Sequence, residues 1–189
     1  MSQQDLLRRV AEALDAAKIE YMITGSIASS LQGEPRLTHD LDVLITIESH
    51  QLPALVAAFP PSEFYLDEEA AREAIRTAGM FNVIDASEGD KIDFWLLRDD
   101  PFDQSRFARR YDEELFGTRI KVSRPEDTIL AKLWWANLAG GSEKHFQDAL
   151  RVYEVQLGVL DLGYLNEWAS RLRVQQLWSR LQTEASPPT

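Results

Sequence analysis

Two aspartates one residue apart, Asp40 and Asp42, stand at the head of an apolar run, Val43-Leu44-Ile45. Alternate side chains of a β-strand share a face, so both carboxylates point one way and Leu41 the other. The apolar run marks a strand buried along most of its length. Neighbouring carboxylates on such a strand repel each other and resist desolvation, so something must compensate them. A divalent cation does so, and all-oxygen donors suit magnesium better than zinc. Asp93, within Lys91-Ile92-Asp93-Phe94-Trp95-Leu96-Leu97, is a second case of an acid among residues that want burial. If its strand pairs beside the first, three carboxylates can hold two metal ions about 4 Å apart, clamping the attacking and leaving oxygens of a phosphoryl displacement. Thirteen residues separate Gly25-Ser26 from Asp40, and the pair stands where a strand ends and a helix begins. Such a turn offers backbone N–H groups and a hydroxyl to phosphate oxygens, and glycine lets the chain approach the ligand.

Each feature alone has a plainer reading. Asp-x-Asp also occurs in turns and exposed strands, and Gly-Ser is common everywhere. An acid in an apolar strand can lie at an edge or pair with a base such as Lys91. The ordered combination carries the functional reading: strand, Gly-Ser, helix, a strand with Asp-x-Asp, then a later strand with a single Asp.

These residues need elements to hold them. Apolar groups at Leu6, Leu7, Val10, Ala11, Leu14 and Ala17 predict a helix over 3–17. Residues 19–24 read as a buried strand, 26–32 as a short helix closed by Gly33-Glu34-Pro35, and 38–47 as the Asp-x-Asp strand. Helices are expected over 50–58 and 67–77, and strands over 80–85 and 91–97 joined by Ser87-Glu88-Gly89-Asp90. A hairpin around Phe116-Gly117-Thr118 leads into 119–122. Beyond Ser123 the pattern is helical, over 126–139 with Leu130, Leu133, Trp134 and Leu138 inward, then 143–157, 161–170 and 174–184. Mixed elements first and helices last imply an α+β core over 1–123 and an all-α region over 124–185, with a disordered tail at 186–189.

Composition narrows the chemistry. The chain has 189 residues, enough for one domain or a compact domain with a helical annex. It has no cysteine, which removes disulfides, thiol nucleophiles and thiolate metal sites, and its histidines (His39, His50, His145) are far apart in sequence. No secretory signal or 18-residue apolar span is visible, so the cytoplasm is expected and a membrane is not. Net charge is −11, all of it in residues 1–100, with 8 basic and 19 acidic side chains. That excess disfavours unassisted binding to nucleic acid and would suit a site that collects divalent cations, although a solvated acidic surface is the better explanation of Asp67, Glu68, Glu69 and Glu73.

Tyr-Met-Ile-Thr-Gly-Ser (21–26), His-Asp-Leu-Asp-Val-Leu-Ile (39–45) and Lys-Ile-Asp-Phe (91–94) together resemble the motifs of the nucleotidyltransferase superfamily that shares its core with DNA polymerase β. Within it, the chain is most similar to small bacterial members of the abortive-infection-toxin type. Lys91-x-Asp93, Lys132, and Lys144 with Asp148 fall where that type carries its later motifs; His145 stands where it often has Asp. The resemblance spans roughly residues 20–150. It implies a small mixed or antiparallel sheet flanked by helices. It also implies that Asp40, Asp42 and Asp93 hold two magnesium ions, with manganese as a substitute, and that Asp93 acts as or positions the base. Gly25 and Ser26 would grip a nucleoside triphosphate, Lys132 would approach its phosphates, and Lys144 with Asp148 would line the far wall.

Other readings of these residues are blander. Lys132 is also a snorkelling lysine on a half-buried helix, and Lys144 and Asp148 are spaced for a surface i,i+4 ion pair. Trp134 and Trp135 face about 100° apart on a helix, so packing rather than base stacking is expected of them. Arg106, Arg109 and Arg110 are offset by Asp112, Glu113 and Glu114, and His39 faces away from the carboxylates. The leading expectation is transfer of a nucleoside monophosphate to an acceptor hydroxyl with release of pyrophosphate. The acceptor could be a small molecule such as an aminoglycoside, a tRNA 3′ end or a protein side chain. The alternative is a non-catalytic nucleotide-binding or protein-interaction module on the same fold, such as one component of a toxin–antitoxin pair. A nuclease using the same carboxylates would leave the Gly-Ser turn without a purpose.

Overall fold

A computed structural model describes residues 2–35 and 38–186; all of the expected disordered tail except Ser186 lies outside the described residues. The chain forms two compact units that interleave along the sequence. Residues 1–24 and 38–122 make one, and residues 25–37 and 123–189 the other. A linear division near residue 123 therefore places 25–37 differently from the observed packing. That segment carries a short helix whose Ile27, Ala28 and Ser29 are buried, and it packs among the C-terminal helices.

The first unit is built on a sheet of seven strands among the described residues: β1 (Glu20–Ile23), β2 (Asp40–Thr46), β3 (Phe64–Leu66), β4 (Met80–Asp85), β5 (Lys91–Leu96), β6 (Tyr111–Leu115) and β7 (Thr118–Val122). Their order is β3-β4-β5-β2-β1-β7-β6. The sheet is mixed, with β2–β5 and β1–β7 parallel and the other pairs antiparallel. On one face Leu41, Val43, Ile45, Ile92, Phe94, Phe81 and Val83 are all buried. This is the side of α1 (Gln3–Ala16), whose Arg9 guanidinium lies over the Phe64 ring at 4.7 Å. Ser2 caps α1 by accepting from Asp5 N, as an N-cap hydroxyl does. Helices α3 (Leu52–Ala57) and α4 (Glu68–Thr77) also belong to this unit, and Asp67 caps α4 through Ala70 N.

Two elements of this unit are not in the sequence reading. The three-residue β3 is too short to show alternation. The signal for α5 (Pro101–Ala108) is Asp100-Pro101: Asp100 accepts from Phe102 N and Asp103 N, and proline occupies the first turn. Phe107 of α5 packs against Met22, Leu44, Trp95 and Leu97 on the opposite sheet face from α1.

The second unit gathers α2 (Gly25–Gln32) with α6 (Pro125–Leu138), α7 (Glu143–Gln156), α8 (Leu162–Arg171) and α9 (Gln175–Glu184). Its core includes Ile129, Leu130, Leu133, Phe146, Val152, Leu165 and Leu181, and Tyr153 meets Trp178 edge-on at 5.4 Å. Leu138, expected inward, is 57% exposed and is the last residue of α6. Gln32 Nε2 donates to Ser123 O at 2.5 Å and Gln156 Nε2 to Gln32 O at 2.8 Å, which ties the end of α2 to the C-terminal helices.

Gly33 allows that approach. A Cβ there would lie 2.9 Å from Val152 N and 3.0 Å from both Arg151 C and Ser29 O, all main-chain atoms that cannot step aside. Gly33→Ala is expected to destabilise the chain by about 1–3 kcal/mol, whereas Gly158→Ala, with nothing within 4 Å, should change stability by no more than about 0.5 kcal/mol. Urea unfolding of both variants checks this.

Candidate active site

The parallel pairing of β2 with β5 sets Asp42 opposite Asp93 and Asp40 opposite Lys91. Paired residues on adjacent strands, about 4.8 Å apart, point to the same face. Asp40, Asp42, Lys91 and Asp93 therefore share the face that also carries Leu44 and Trp95. The acids lie toward the N-terminal ends of the two strands; deeper along them Leu44 and Trp95 join Met22 and Phe107 in an apolar floor. On the other side of β5, Asn82 of β4 stands opposite Asp93 and is half-buried.

The polar groups of this face differ sharply in exposure. The Asp40 side chain is 58% exposed and that of Asp93 only 9%. Asp93 Oδ2 accepts from Lys91 Nζ at 2.8 Å, and the same nitrogen lies 3.9 Å from Asp40 Oδ1. Asp93 Oδ1 is buried with no hydrogen-bond partner among the described residues. Burial pushes the Asp93 carboxyl above the ordinary carboxylate range; Lys91 opposes this, and the charges of Asp42 and Asp40 reinforce it. The hydrogen bond to Asp93 in turn holds the Lys91 ammonium above its ordinary value. Trp95 Nε1–H makes a long contact of 3.4 Å to Asp42 Oδ1. At the rim, His39 Nδ1 meets Asp90 Oδ1 at 2.8 Å, and the ring is otherwise in solvent.

The donor set fits a hard divalent cation. A buried carboxylate oxygen without a partner, beside a second carboxylate in direct register, is what such an ion would satisfy. Among the described residues, no three His, Cys, Asp or Glu side chains already converge on one point as a metal cage. At this face the shared neighbour of two of the acids is the Lys91 ammonium. Sequence reasoning named Lys91 as a salt-bridge partner and as the lysine of the Lys-x-Asp motif, and passed over Trp95 and Asn82. Strand alternation from Asp93 reaches Trp95, but the register of β4 alone brings in Asn82.

The other expected site residues belong to the second unit. Gly25 opens α2 with φ 62, a left-handed conformation that favours glycine, directly after Thr24, whose N–H donates to Asp42 O. Ser26 follows in the first turn of α2, half-buried. Lys132 and Asp148 are both buried and joined at 2.7 Å, so Asp148 pairs with α6 rather than with Lys144 one turn away, and Lys144 is exposed. Trp134 and Trp135 meet edge-on at 5.2 Å, with Trp135 40% exposed.

The chain has the nucleotidyltransferase fold. It is similar to an antigenic nucleotidyltransferase-like protein from Paracoccidioides brasiliensis at 19% identity and TM-score 0.56, over 98% of this chain and 96% of that one. The antibiotic-resistance factor ANT(2'')-Ia, in complex with adenylyl-2''-tobramycin, matches at 14% identity and TM-score 0.60 over 93% and 99%. The lincosamide antibiotic adenylyltransferase LnuA, lincomycin-bound, matches at 8% and TM-score 0.56 over 82% and 98%. No protein-family model matches the chain, and no curated protein matches it in sequence.

Two stability measurements follow from this geometry. A carboxyl raised in the folded chain contributes stability that is complete below its unfolded value and is lost as pH rises through the folded one. Without divalent cations, Asp93→Asn is therefore expected to be more stable than the parent at pH 7, with the gap closing below about pH 4. Thermal melts across that range test it. In the second unit, Asp148→Asn strands the Lys132 ammonium in the interior and should cost about 3–5 kcal/mol. Lys132→Met combined with Asp148→Leu should recover most of that loss in urea unfolding.

Proposed function

We propose that this chain transfers a nucleoside monophosphate from a nucleoside triphosphate to an acceptor hydroxyl and releases pyrophosphate. The observation that carries this reading is the register of Asp42 against Asp93, with Asp40 on the same face and a buried, unpartnered oxygen on Asp93. Asp40, Asp42 and Asp93 would hold two magnesium ions, or manganese in their place. When bound, the ions neutralise phosphate charge and lower the barrier to displacement.

The chain's own groups account for the remaining work. The acceptor oxygen attacks the α-phosphorus, the bond to the bridging oxygen breaks, and pyrophosphate leaves with that electron pair. The hydroxyl proton passes to the Asp93 carboxylate, whose raised affinity for protons suits it as the base. Gly25 and Ser26, at the start of α2, supply main-chain N–H groups and a hydroxyl for the triphosphate. Lys132, Lys144 and Asp148 enter on the family resemblance. The Lys132–Asp148 pair is buried, so its part is to hold the helices in place, while Lys144 is free to meet a ligand's charge.

A small hydroxyl compound with cationic groups is the acceptor best matched to the acidic first half of the sequence. The adenylylated tobramycin held by ANT(2'')-Ia and the lincomycin held by LnuA support a small-molecule acceptor. In the test, purified protein with magnesium receives each α-labelled nucleoside triphosphate in turn. The acceptors offered are cationic hydroxyl compounds, tRNA and total cell protein. Label should move to a small molecule with equimolar pyrophosphate, and Asp42→Asn should lower the rate at least about 10²-fold. Transfer that Asp42→Asn leaves untouched would overturn the reading.

A further inference from the structure

The geometry points to Lys91 as a tethered counter-ion that holds the divalent-cation position until a metal–triphosphate complex displaces it. This rests on the nucleotidyltransferase reading of the same face and extends it to the order in which the ligands load. Lys91 begins β5, two residues before Asp93, so strand alternation puts its side chain on the carboxylate face. Its register partner is Asp40 on the next strand. One ammonium therefore reaches acids on both strands, 2.8 Å from Asp93 Oδ2 and 3.9 Å from Asp40 Oδ1.

The compensation it gives is incomplete. A single positive charge faces three carboxylates, and Asp93 Oδ1 is left buried without a partner. A divalent ion would satisfy that oxygen and neutralise more of the charge, so the acids prefer it once it arrives. The residue type makes the exchange feasible. A lysine is a compact charge on a flexible four-carbon stem, whereas an arginine would grip a carboxylate with two bonds in a fixed plane. The Lys91 side chain is already 35% exposed, so it can swing into solvent without leaving a packed site.

Two consequences follow from electrostatics. A free metal ion must displace a fixed cation and pays for its loss, so binding of metal alone is weakened. A metal that arrives on a triphosphate brings anionic oxygens that take up the released ammonium. Metal and nucleotide therefore bind cooperatively, and the coupling resides in Lys91.

The test measures manganese binding by electron paramagnetic resonance on the full chain without nucleotide. The variants are Lys91→Met, Lys91→Arg and Lys91→Met combined with Asp42→Asn. Lys91→Met should bind Mn²⁺ at least about tenfold more tightly than the parent, since a unit charge within about 4 Å of the ion is removed. Lys91→Arg should bind no more tightly than the parent, and the double variant should lose the site. A second measurement uses the unaltered protein: acetylation of Lys91 by acetic anhydride, read by mass spectrometry, should speed up several-fold when Mn²⁺ is added. If Lys91→Met binds no more tightly and Lys91 acetylation is unmoved by bound Mn²⁺, the counter-ion role is wrong and the metal site stands. If neither parent nor Lys91→Met binds Mn²⁺ at millimolar concentration, the nucleotidyltransferase reading falls with it.

Discussion

Asp42 and Asp93 are held in register by the parallel pairing of β2 with β5, and neither strand can move away to relieve the repulsion. The pairing is clamped from the reverse face, where Leu41, Val43, Ile45, Ile92 and Phe94 are buried. Each such side chain contributes roughly 1.5–3 kcal/mol when removed from water, so the set outweighs the cost of two neighbouring carboxylates. The fold thus sustains a local electrostatic conflict at the heads of its central strands. The Lys91 ammonium, 2.8 Å from Asp93 Oδ2 and 3.9 Å from Asp40 Oδ1, relieves part of that conflict.

The face is graded along the strands. At the rim Asp40 is solvated and His39 touches Asp90; one step in, Asp93 is almost fully buried; beyond it Trp95 and Leu44 close onto Phe107 of α5. Burial raises the proton affinity of Asp93, whereas the Asp40 side chain stands 58% exposed at the rim.

The helical unit follows different rules. Its one fully buried ion pair among the described motif residues, Lys132–Asp148, joins α6 to α7 and is shielded from water. A pair so enclosed adds little net stability over apolar residues of the same shape, but breaking it strands a charge. Gln32 plays a similar part at the end of α2, giving its amide N–H to Ser123 O while its main-chain oxygen accepts from Gln156. Gly33 permits the main-chain contact that lets this short helix, far from the others in sequence, join them.

Most of the elements were legible because each depends on a local rule: helical periodicity in α1 and α6–α9, β-branched and apolar runs in β1 and β2, and the turn between β4 and β5. The short β3 and the charged, Pro-initiated α5 were missed because three residues show no period and an N-cap signal is easily read as a turn. Strand alternation alone placed Asp40 with Asp42, since it is a property of each strand taken by itself. It could not say that β5 lies beside β2 with Asp93 opposite Asp42, that Asn82 comes alongside from β4, or that Asp148 chooses Lys132 over Lys144. Nor could it show residues 25–37 leaving the first unit for the C-terminal helices. Local chain geometry decides which side chains share a face, and the sequence carries that information. Which faces meet is decided by apolar surfaces far apart in the chain, and only the folded molecule brings those together.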